Sequence, residues 1–169
     1  NESRCVAQQL MKLHKEAKLK DCPLIVELGV DRGQSTKIFL NAIEDKVGSK
    51  LISLDIRDCS NVSISSKWEF VQQDSADINK LLDTKPEIKK GIDILYVDSL
   101  HTASHVQKEI FNFFEYLNEN AIIFFDDIDS NPYMTGQRKD SASTEIANRK
   151  IYKLLEAIFR ANIDQIDFN

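Results

Sequence analysis

Acidic side chains and a histidine follow two apolar segments of this sequence at short spacings. Asp98 and His101 come just after one apolar run, and Asp126 and Asp127 come just after another. Three carboxylates held close together repel one another unless a cation lies between them, and their hard oxygen atoms suit Mg²⁺ or Mn²⁺. The predicted metal ligands are therefore Asp98, Asp126 and Asp127. An imidazole that is neutral near pH 7 can act as a general base, so Asp98 and His101 are the predicted catalytic residues.

Each of these residues also has a purely structural explanation. Asp98 can cap a helix, His101 can lie in a turn, and the later acidic pair can simply begin a loop. The metal site therefore depends on both groups meeting at one edge of the fold. The other two histidines lack such partners in sequence: we expect His105 to be structural or exposed and His14 to face solvent.

A glycine-containing segment earlier in the chain has the residue types of a nucleoside-binding turn. It runs from Glu27 to Gly33 and reads Glu-Leu-Gly-Val-Asp-Arg-Gly. Its two glycines allow a sharp turn and a close ligand, and the following helix offers free N–H groups. A dinucleotide fingerprint would have glycine where Asp31 stands, and a pyrophosphate would meet that carboxylate. The turn favours a nucleoside over NAD, and a tight turn without a ligand is the structural alternative.

Asp55 and Asp74 follow the next two apolar segments after this turn. An acidic residue about 20 or more residues beyond such a turn can accept hydrogen bonds from ribose hydroxyls, which assigns that role to Asp55. Asp74 can accept a hydrogen bond from an adenine amino group. Its structural alternative is to cap the helix that begins near Ile78, with Ser75 beside it, and the sequence leaves both open.

Apolar segments and helix-length amphipathic segments alternate along the chain and must position these residues. The predicted strands are residues 24–28, 51–54, 68–71, 92–97 and 121–125. Strands without polar alternation, separated by helices, form a parallel sheet covered on both faces through right-handed crossovers. We predict a doubly wound α/β fold with a mostly parallel, Rossmann-like sheet. Ligands of such sheets bind outside the carboxyl ends of the strands, where the acidic residues lie.

A chain of 169 residues fits a single domain. We divide it into an N-terminal helix in 1–22, a core in 24–128, a lid loop in 130–143 and a C-terminal helix in 145–160. The helix before the fifth strand has an apolar stripe over 106–117 and is predicted to end at 118–120. Residues 163–168 can form at most one further strand, so the C-terminal strands are predicted to be short or missing.

Composition argues against several classes of function. The formal net charge of −5 disfavours a nucleic-acid substrate, because binding a polyanion needs a cationic surface. The longest apolar runs fall far short of the roughly 20 residues of a membrane-spanning helix, and the first residues show no signal-peptide pattern. Three cysteines without Cys-x-x-Cys spacing predict reduced thiols. We therefore expect a cytoplasmic protein with no membrane or nucleic-acid partner, and a homo-oligomer is compatible with the sequence.

The segment 24–128 resembles the class I S-adenosylmethionine-dependent methyltransferases. Their first motif, an acidic residue followed by Gly-x-x-x-Gly, matches Glu27, Gly29 and Gly33, and their ribose-binding and adenine-binding acidic positions match Asp55 and Asp74. The resemblance implies that S-adenosylmethionine is the cofactor. The implied cofactor-binding residues are Glu27, Gly29, Gly33, Ser35, Asp55, Asp74, Ser75 and Asp98.

Within that class, the chain resembles the metal-dependent O-methyltransferases that act on sugars and natural products. Their fourth strand ends in Asp-x-x-His, which matches Asp98 and His101, and their fifth ends in two acidic residues, as at Asp126 and Asp127. Many members have glycine where Ser99 stands and glutamate where Asp126 stands. The family's sheet normally has seven strands, more than this sequence predicts.

The resemblance implies transfer of a methyl group from S-adenosylmethionine to a hydroxyl of a small molecule or saccharide. Mg²⁺ or Mn²⁺ would bind that hydroxyl and lower its pKa, and His101 would accept the proton. The loop 130–143 would close over the site. Two alternatives remain open: a module that binds S-adenosylmethionine without catalysis, and a nicotinamide-dependent oxidoreductase, which Asp31 disfavours.

Overall fold

Strands and helices alternate along the chain in the computed structural model, which describes residues 2–128 and 148–159. The strands are β1 (Leu24–Leu28), β2 (Lys50–Asp55), β3 (Trp68–Gln72), β4 (Ile92–Val97) and β5 (Leu117–Phe125). The helices are α1 (Glu2–Leu19), α2 (Gln34–Ile43), α3 (Ile78–Thr84), a 3-10 helix (Pro86–Lys90), α4 (Ala103–Phe114) and α5 (Lys150–Phe159). Within the described residues, the five strands form one parallel sheet in the order β3-β2-β1-β4-β5.

Helices cover both faces of the sheet because successive strand residues point to opposite sides. On one face, Ile25 of β1 belongs to a buried cluster with Leu13 of α1 and Phe39 of α2. On the other face, the next residue, Val26, belongs to a cluster with Phe113 of α4 and others from α3 and α5. Burial on both faces explains why the strands lack polar alternation, and the predicted doubly wound α/β fold is confirmed.

The strand order changes direction at β1. The chain passes from β1 to β2 and β3 on one side of the sheet, and then returns to place β4 and β5 on the other side. At the carboxyl ends of β1 and β4, where the strand order changes direction, open α/β sheets have the crevice in which their ligands bind. The predicted site residues lie at or after the carboxyl ends of all five strands, from Glu27 in β1 to Asp127 after β5.

The predicted boundary between α4 and β5 was wrong. We expected residue 117 to end the helix and 118–120 to separate it from a strand at 121, but α4 ends at Phe114 and β5 begins at Leu117. Ile92 pairs with Leu117, whereas Ile94 pairs with Ile122, so the register shifts between the two pairs. The three polar residues 118–120 lie in this bulge, and Asn118 donates a 2.8 Å hydrogen bond to Asp93.

Two predicted C-terminal segments, the lid loop at 130–143 and the strand at 163–168, lie outside the described residues. The C-terminal helix begins at Lys150 rather than at 145, because Asn148 and Arg149 form a turn before it. None of the helices in the described ranges combines the length and the apolar character needed to cross a membrane.

Candidate active site

The loop after β4 lies directly against the glycine turn that follows β1. Gly29 donates a 2.8 Å backbone hydrogen bond to Leu54 at the end of β2, and Asp98 donates one of 2.8 Å to Leu28. The φ angle of Gly29 is +98°, and a Cβ at this position would lie 2.0 Å from the carbonyl oxygen of Asp98. Only glycine allows the two loops to approach this closely.

The second glycine of the turn is the N-cap residue that directly precedes α2. Gly33 has φ +72°, and an added Cβ would lie 2.1 Å from the Val62 side chain in the loop after β2. Asp31, which stands where a dinucleotide fingerprint has glycine, also has a positive φ of 46°. The turn therefore has three residues with positive φ angles, and one of them carries a carboxylate where a dinucleotide fingerprint has glycine.

Asp55 lies at this turn, as the sequence predicted. Its Oδ2 accepts hydrogen bonds from the backbone N–H groups of Val30 (3.0 Å) and Asp31 (3.1 Å), and its Oδ1 accepts one from Arg57 (2.9 Å). Burial acts to raise the pKa of Asp55, but these three N–H groups outweigh it and hold the pKa below its usual range. An ionised acceptor is thus fixed beside the glycine turn.

Glu27 and Ser35 lie beneath the turn rather than in the crevice. Glu27 is fully buried and accepts hydrogen bonds from the hydroxyls of Ser35 (2.6 Å), Thr36 (2.7 Å) and Ser53 (2.5 Å). Burial raises the pKa of Glu27 to about 7, although the three hydroxyls act to lower it. The sequence predicted contact with the cofactor, whereas the structure has Glu27 joining β1, β2 and the start of α2.

The predicted catalytic and metal-binding residues meet at the ends of β4 and β5. Nε2 of His101 lies 3.0 Å from Oδ1 of Asp98, and its Nδ1 lies 3.2 Å from Oδ2 of Asp127. The hydroxyl of Tyr96 lies 3.1 Å from Oδ2 of Asp98 and 2.9 Å from Oδ2 of Asp126. The expected convergence of three carboxylates and one imidazole on a single edge is present.

The pKa values of three groups in this cluster are raised. Burial raises the pKa of Asp98 and of Asp127. Burial opposes the charged form of His101, but the hydrogen bond to Asp98 and the nearby carboxylates outweigh it and raise the pKa of that imidazole. We expected His101 to be neutral near pH 7, whereas two carboxylates facing its two nitrogens favour the protonated ring in this arrangement.

Hydrogen bonds rather than a preformed metal cage hold the three carboxylates. Among the described residues, no three His, Cys, Asp or Glu side chains are grouped as a metal site. The hydroxyl of Tyr96 lies between Asp98 and Asp126, and Asp126 also accepts a 2.8 Å hydrogen bond from the backbone N–H of Asp127. By donor type the carboxylates fit a hard divalent cation, but these hydrogen bonds would have to be exchanged for it.

The loop after β3 has one exposed and one buried candidate residue. Asp74 is exposed and accepts a 2.8 Å hydrogen bond from the N–H of Ala76, while Asp77 caps α3 instead. Asp74 is therefore not the helix cap, and its carboxylate faces solvent. Ser75 was predicted to contact the cofactor, but its hydroxyl is buried and donates a 2.5 Å hydrogen bond to Glu109 of α4.

Sequence reasoning missed Tyr96 and Glu109. Tyr96 looked like one more apolar residue of a buried strand, although it lies two positions before Asp98 and so points to the same side. Glu109 lies between Val106 and Ile110 in the apolar stripe of α4, and a charged residue in such a stripe was the available signal. His105 is partly buried and contacts Glu109, as the structural expectation allowed. His14 is bonded to Asn41 at 3.0 Å.

Comparisons with solved structures show what this fold is similar to. The MycE methyltransferase from the mycinamycin biosynthetic pathway, in complex with Mg, SAH and mycinamycin VI, matches at 19% identity and a TM-score of 0.61 over 86% of this chain and 41% of MycE. CalS11, a TDP-rhamnose 3'-O-methyltransferase, matches at 14% identity and a TM-score of 0.62 over 94% of this chain and 71% of its own.

A third structure, a putative caffeoyl-CoA O-methyltransferase from Staphylococcus aureus, matches at 12% identity and a TM-score of 0.67 over 94% of this chain and 74% of its own. A search of curated protein sequences gives no match. A family model described as a methyltransferase domain matches residues 26–128, from β1 to the residues after β5. Since that match covers more than half of the chain, the protein belongs to the methyltransferase domain family, with the fold of the class I S-adenosylmethionine-dependent methyltransferases.

Proposed function

We propose that this domain transfers a methyl group from S-adenosylmethionine to a hydroxyl of a small molecule or saccharide. The supporting observation is that Asp55 accepts the amides of the glycine turn while Asp98, His101 and Asp127 meet on the neighbouring loops. If the turn holds the adenosine of S-adenosylmethionine, the methionine portion of that cofactor would lie beside an acid–base cluster. The MycE structure, in complex with mycinamycin VI, and CalS11, named as a TDP-rhamnose 3'-O-methyltransferase, support this acceptor class.

Cofactor binding would use the edge of the sheet from β2 to β4. Asp55 would accept the ribose hydroxyls in place of some turn amides, and the exposed Asp74 would accept the adenine amino group. Gly29 and Gly33 allow the backbone to approach the ligand. Glu27 and Ser35 would keep this turn in shape from below, and Asp98 would face the methionine portion.

The transfer itself requires alignment and one proton acceptor. The methyl carbon leaves the sulfonium sulfur as it bonds to the acceptor oxygen, so the S–C electron pair stays on a neutral thioether and the hydroxyl proton must go to the protein. His101 would take that proton in its neutral form, which it reaches above its raised pKa, and one ring nitrogen would exchange its contact with Asp98 or Asp127 for the acceptor hydroxyl. Tyr96 would keep Asp98 and Asp126 in place.

Asp98, Asp126 and Asp127 are the residues that would hold Mg²⁺ or Mn²⁺. When bound, the cation would lower the pKa of the acceptor hydroxyl. The carboxylates suit such a cation by type, and the Mg in the MycE structure supports testing it. The expected setting is the cytoplasm, where both S-adenosylmethionine and divalent cations are within reach of a protein with reduced thiols.

Calorimetry with S-adenosylhomocysteine tests the cofactor site. We expect the wild-type protein to bind it, and Asp55→Asn to bind it about tenfold or more weakly, because a charged acceptor of two hydroxyls is lost. Asp45→Asn, at an exposed aspartate paired with Lys18 away from the strand ends, is the matched control and should bind normally. Tighter binding of NAD than of S-adenosylhomocysteine would contradict the proposal.

Turnover tests the proton acceptor. With phenolic and saccharide acceptors, release of S-adenosylhomocysteine should fall roughly 100-fold or more in His101→Ala while affinity for S-adenosylhomocysteine stays nearly constant. His14→Ala is the matched control, because the imidazole of His14 forms a hydrogen bond with Asn41 between α1 and α2. This variant should retain full turnover. Exhaustive chelation should abolish turnover if the metal proposal holds. Full activity of His101→Ala would exclude His101 as the base, and cofactor binding without turnover on any acceptor would favour the non-catalytic module.

A further inference from the structure

A buried carboxylate on α4 joins the two loops that carry the proposed cofactor contacts. Oε1 of Glu109 accepts hydrogen bonds from the hydroxyl of Ser75, in the loop after β3, and from that of Ser99, in the loop after β4, each at 2.5 Å. His105, one helical turn earlier, lies 3.3 Å from the same oxygen and 3.1 Å from the hydroxyl of Ser75. Two loops and one helix therefore meet at a single oxygen atom.

Each tethered serine is the direct neighbour of a residue of the proposed site. Ser75 follows Asp74, the proposed adenine acceptor, and Ser99 follows Asp98, which is proposed to face the methionine portion. At the proposed site, S-adenosylmethionine would contact both loops at once, so its affinity would depend on the spacing between them. A misplacement of about 1 Å in such a site is enough to cost binding and rate.

Stability alone does not explain a glutamate at this position. Glu109 is fully buried between Val106, Ile110 and Phe113, all members of the core of α4. Its Oε2 is buried and accepts no hydrogen bond from the described residues. A buried acceptor without a donor costs about 1 to 3 kcal/mol, whereas an apolar residue would extend the stripe. Local choices that cost stability in this way are expected at functional sites.

We propose that Glu109 is a positioning residue of the cofactor site, which sets the distance between the β3 and β4 loops through Ser75 and Ser99 without touching the cofactor. This inference rests on the proposed binding of S-adenosylmethionine at these loops. The specific consequence concerns affinity. Loss of the hydrogen bonds from Ser75 and Ser99 to Glu109 should lower the affinity for a ligand that spans both loops more than for one that reaches only the adenine side.

Binding of S-adenosylhomocysteine and of adenosine by calorimetry tests this consequence. Glu109→Leu removes the acceptor but fits the apolar stripe of α4. It should weaken the binding of S-adenosylhomocysteine about tenfold and the binding of adenosine by less than about twofold. Glu109→Gln keeps an acceptor oxygen for the serines and should restore most of the lost affinity. Glu87→Gln is the matched control, because Glu87 is a partly buried glutamate of the 3-10 helix that is paired with Lys50 of β2. It should change neither affinity.

Ser99→Ala provides a second route if Glu109→Leu does not fold, since it removes one tether and leaves the carboxylate in place. It should also weaken S-adenosylhomocysteine more than adenosine. Urea denaturation of each variant separates stability from binding: a lower free energy of unfolding with an unchanged ratio of the two affinities would overturn the inference. An equal loss of affinity for S-adenosylhomocysteine in Glu109→Leu and Glu109→Gln would also overturn it. The effect would then depend on the charge of the side chain and not on its hydrogen bonds to the serines. Wild-type protein that binds no S-adenosylhomocysteine would overturn the proposed function as well.

Discussion

At the scale of single residues, two carboxylates beside the same turn have opposite ionisation behaviour. Glu27 is fully buried among hydroxyl groups, and burial raises its pKa to about 7. Asp55 accepts three backbone N–H groups, which outweigh burial and lower its pKa. Residue type alone does not determine the charge of either group, because desolvation and hydrogen-bond donors act in opposite directions. Asp55 suits a ligand acceptor, whereas Glu27 suits a structural joint.

Glu27→Gln should change how stability depends on pH. The pKa of Glu27 rises from 4.5 to about 7 on folding, so the folded protein binds a proton that the unfolded chain has lost between these values. Ionisation of Glu27 therefore lowers the free energy of unfolding as pH rises from about 4.5 to 7, by roughly 3 kcal/mol in total. Glutamine cannot ionise, so this loss should be absent in the variant.

Urea denaturation of wild type and Glu27→Gln at pH 5, 6, 7 and 8 checks this result. The difference in the free energy of unfolding between variant and wild type should grow in favour of the variant up to about pH 7 and then level off. Other titrating groups are common to both proteins and cancel in that difference. A difference that does not vary with pH would show that the pKa of Glu27 is not raised.

At the scale of elements, the glycine turn is held between loops from two other strands. Gly29 meets the backbone at Asp98 after β4, whereas Gly33 meets only the side chain of Val62 after β2. A clash with a side chain can be relieved by trimming it, but a clash with backbone requires a loop to move. The two glycines therefore have different roles although both have positive φ angles.

Substitution of each glycine by alanine should reveal this difference. Both changes carry about 1 to 2 kcal/mol of left-handed backbone strain, and each adds a steric clash. Val62→Ala should relieve the clash of Gly33→Ala, so that the double variant is less destabilised than the sum of the single changes. It should not help Gly29→Ala, which should also lose S-adenosylhomocysteine binding because the β4 loop is displaced.

Denaturation and calorimetry on the two double-mutant cycles measure these effects. An additive Gly33→Ala and Val62→Ala pair would show that the clash is relieved in another way. Normal ligand binding by Gly29→Ala would show that the contact between the turn and the β4 loop does not shape the site.

At the scale of the whole molecule, the sheet is held rigid by apolar clusters on both faces. Val26 and Ile25 are adjacent in β1 and fully buried on opposite sides, one in each cluster. Because the core fixes β1, β2 and β4 relative to one another, residues far apart in sequence are brought to one edge. The chain spans 41% of the length of MycE.

The sequence by itself determined the order of elements and the edge of the sheet at which the candidate site residues lie. Apolar runs without alternation predicted β1 and β4 at their observed bounds, and the rule that ligands lie at strand ends selected Asp55, Asp98 and His101. These features are predictable because periodicity and strand direction are properties of a local stretch of chain. The start of β5 was not predictable in this way, since it depends on a bulge against β4.

Only the tertiary structure decided which partner each polar side chain has. Glu27 faces hydroxyls of α2 and β2, Ser75 faces Glu109, and His101 lies between two carboxylates that favour its protonated form. Hydrogen-bond partners and desolvation depend on the packing of distant segments at ångström precision, which residue type and spacing do not contain. The location of the site is thus a local property of the chain, while its charge state and internal connections are properties of the fold.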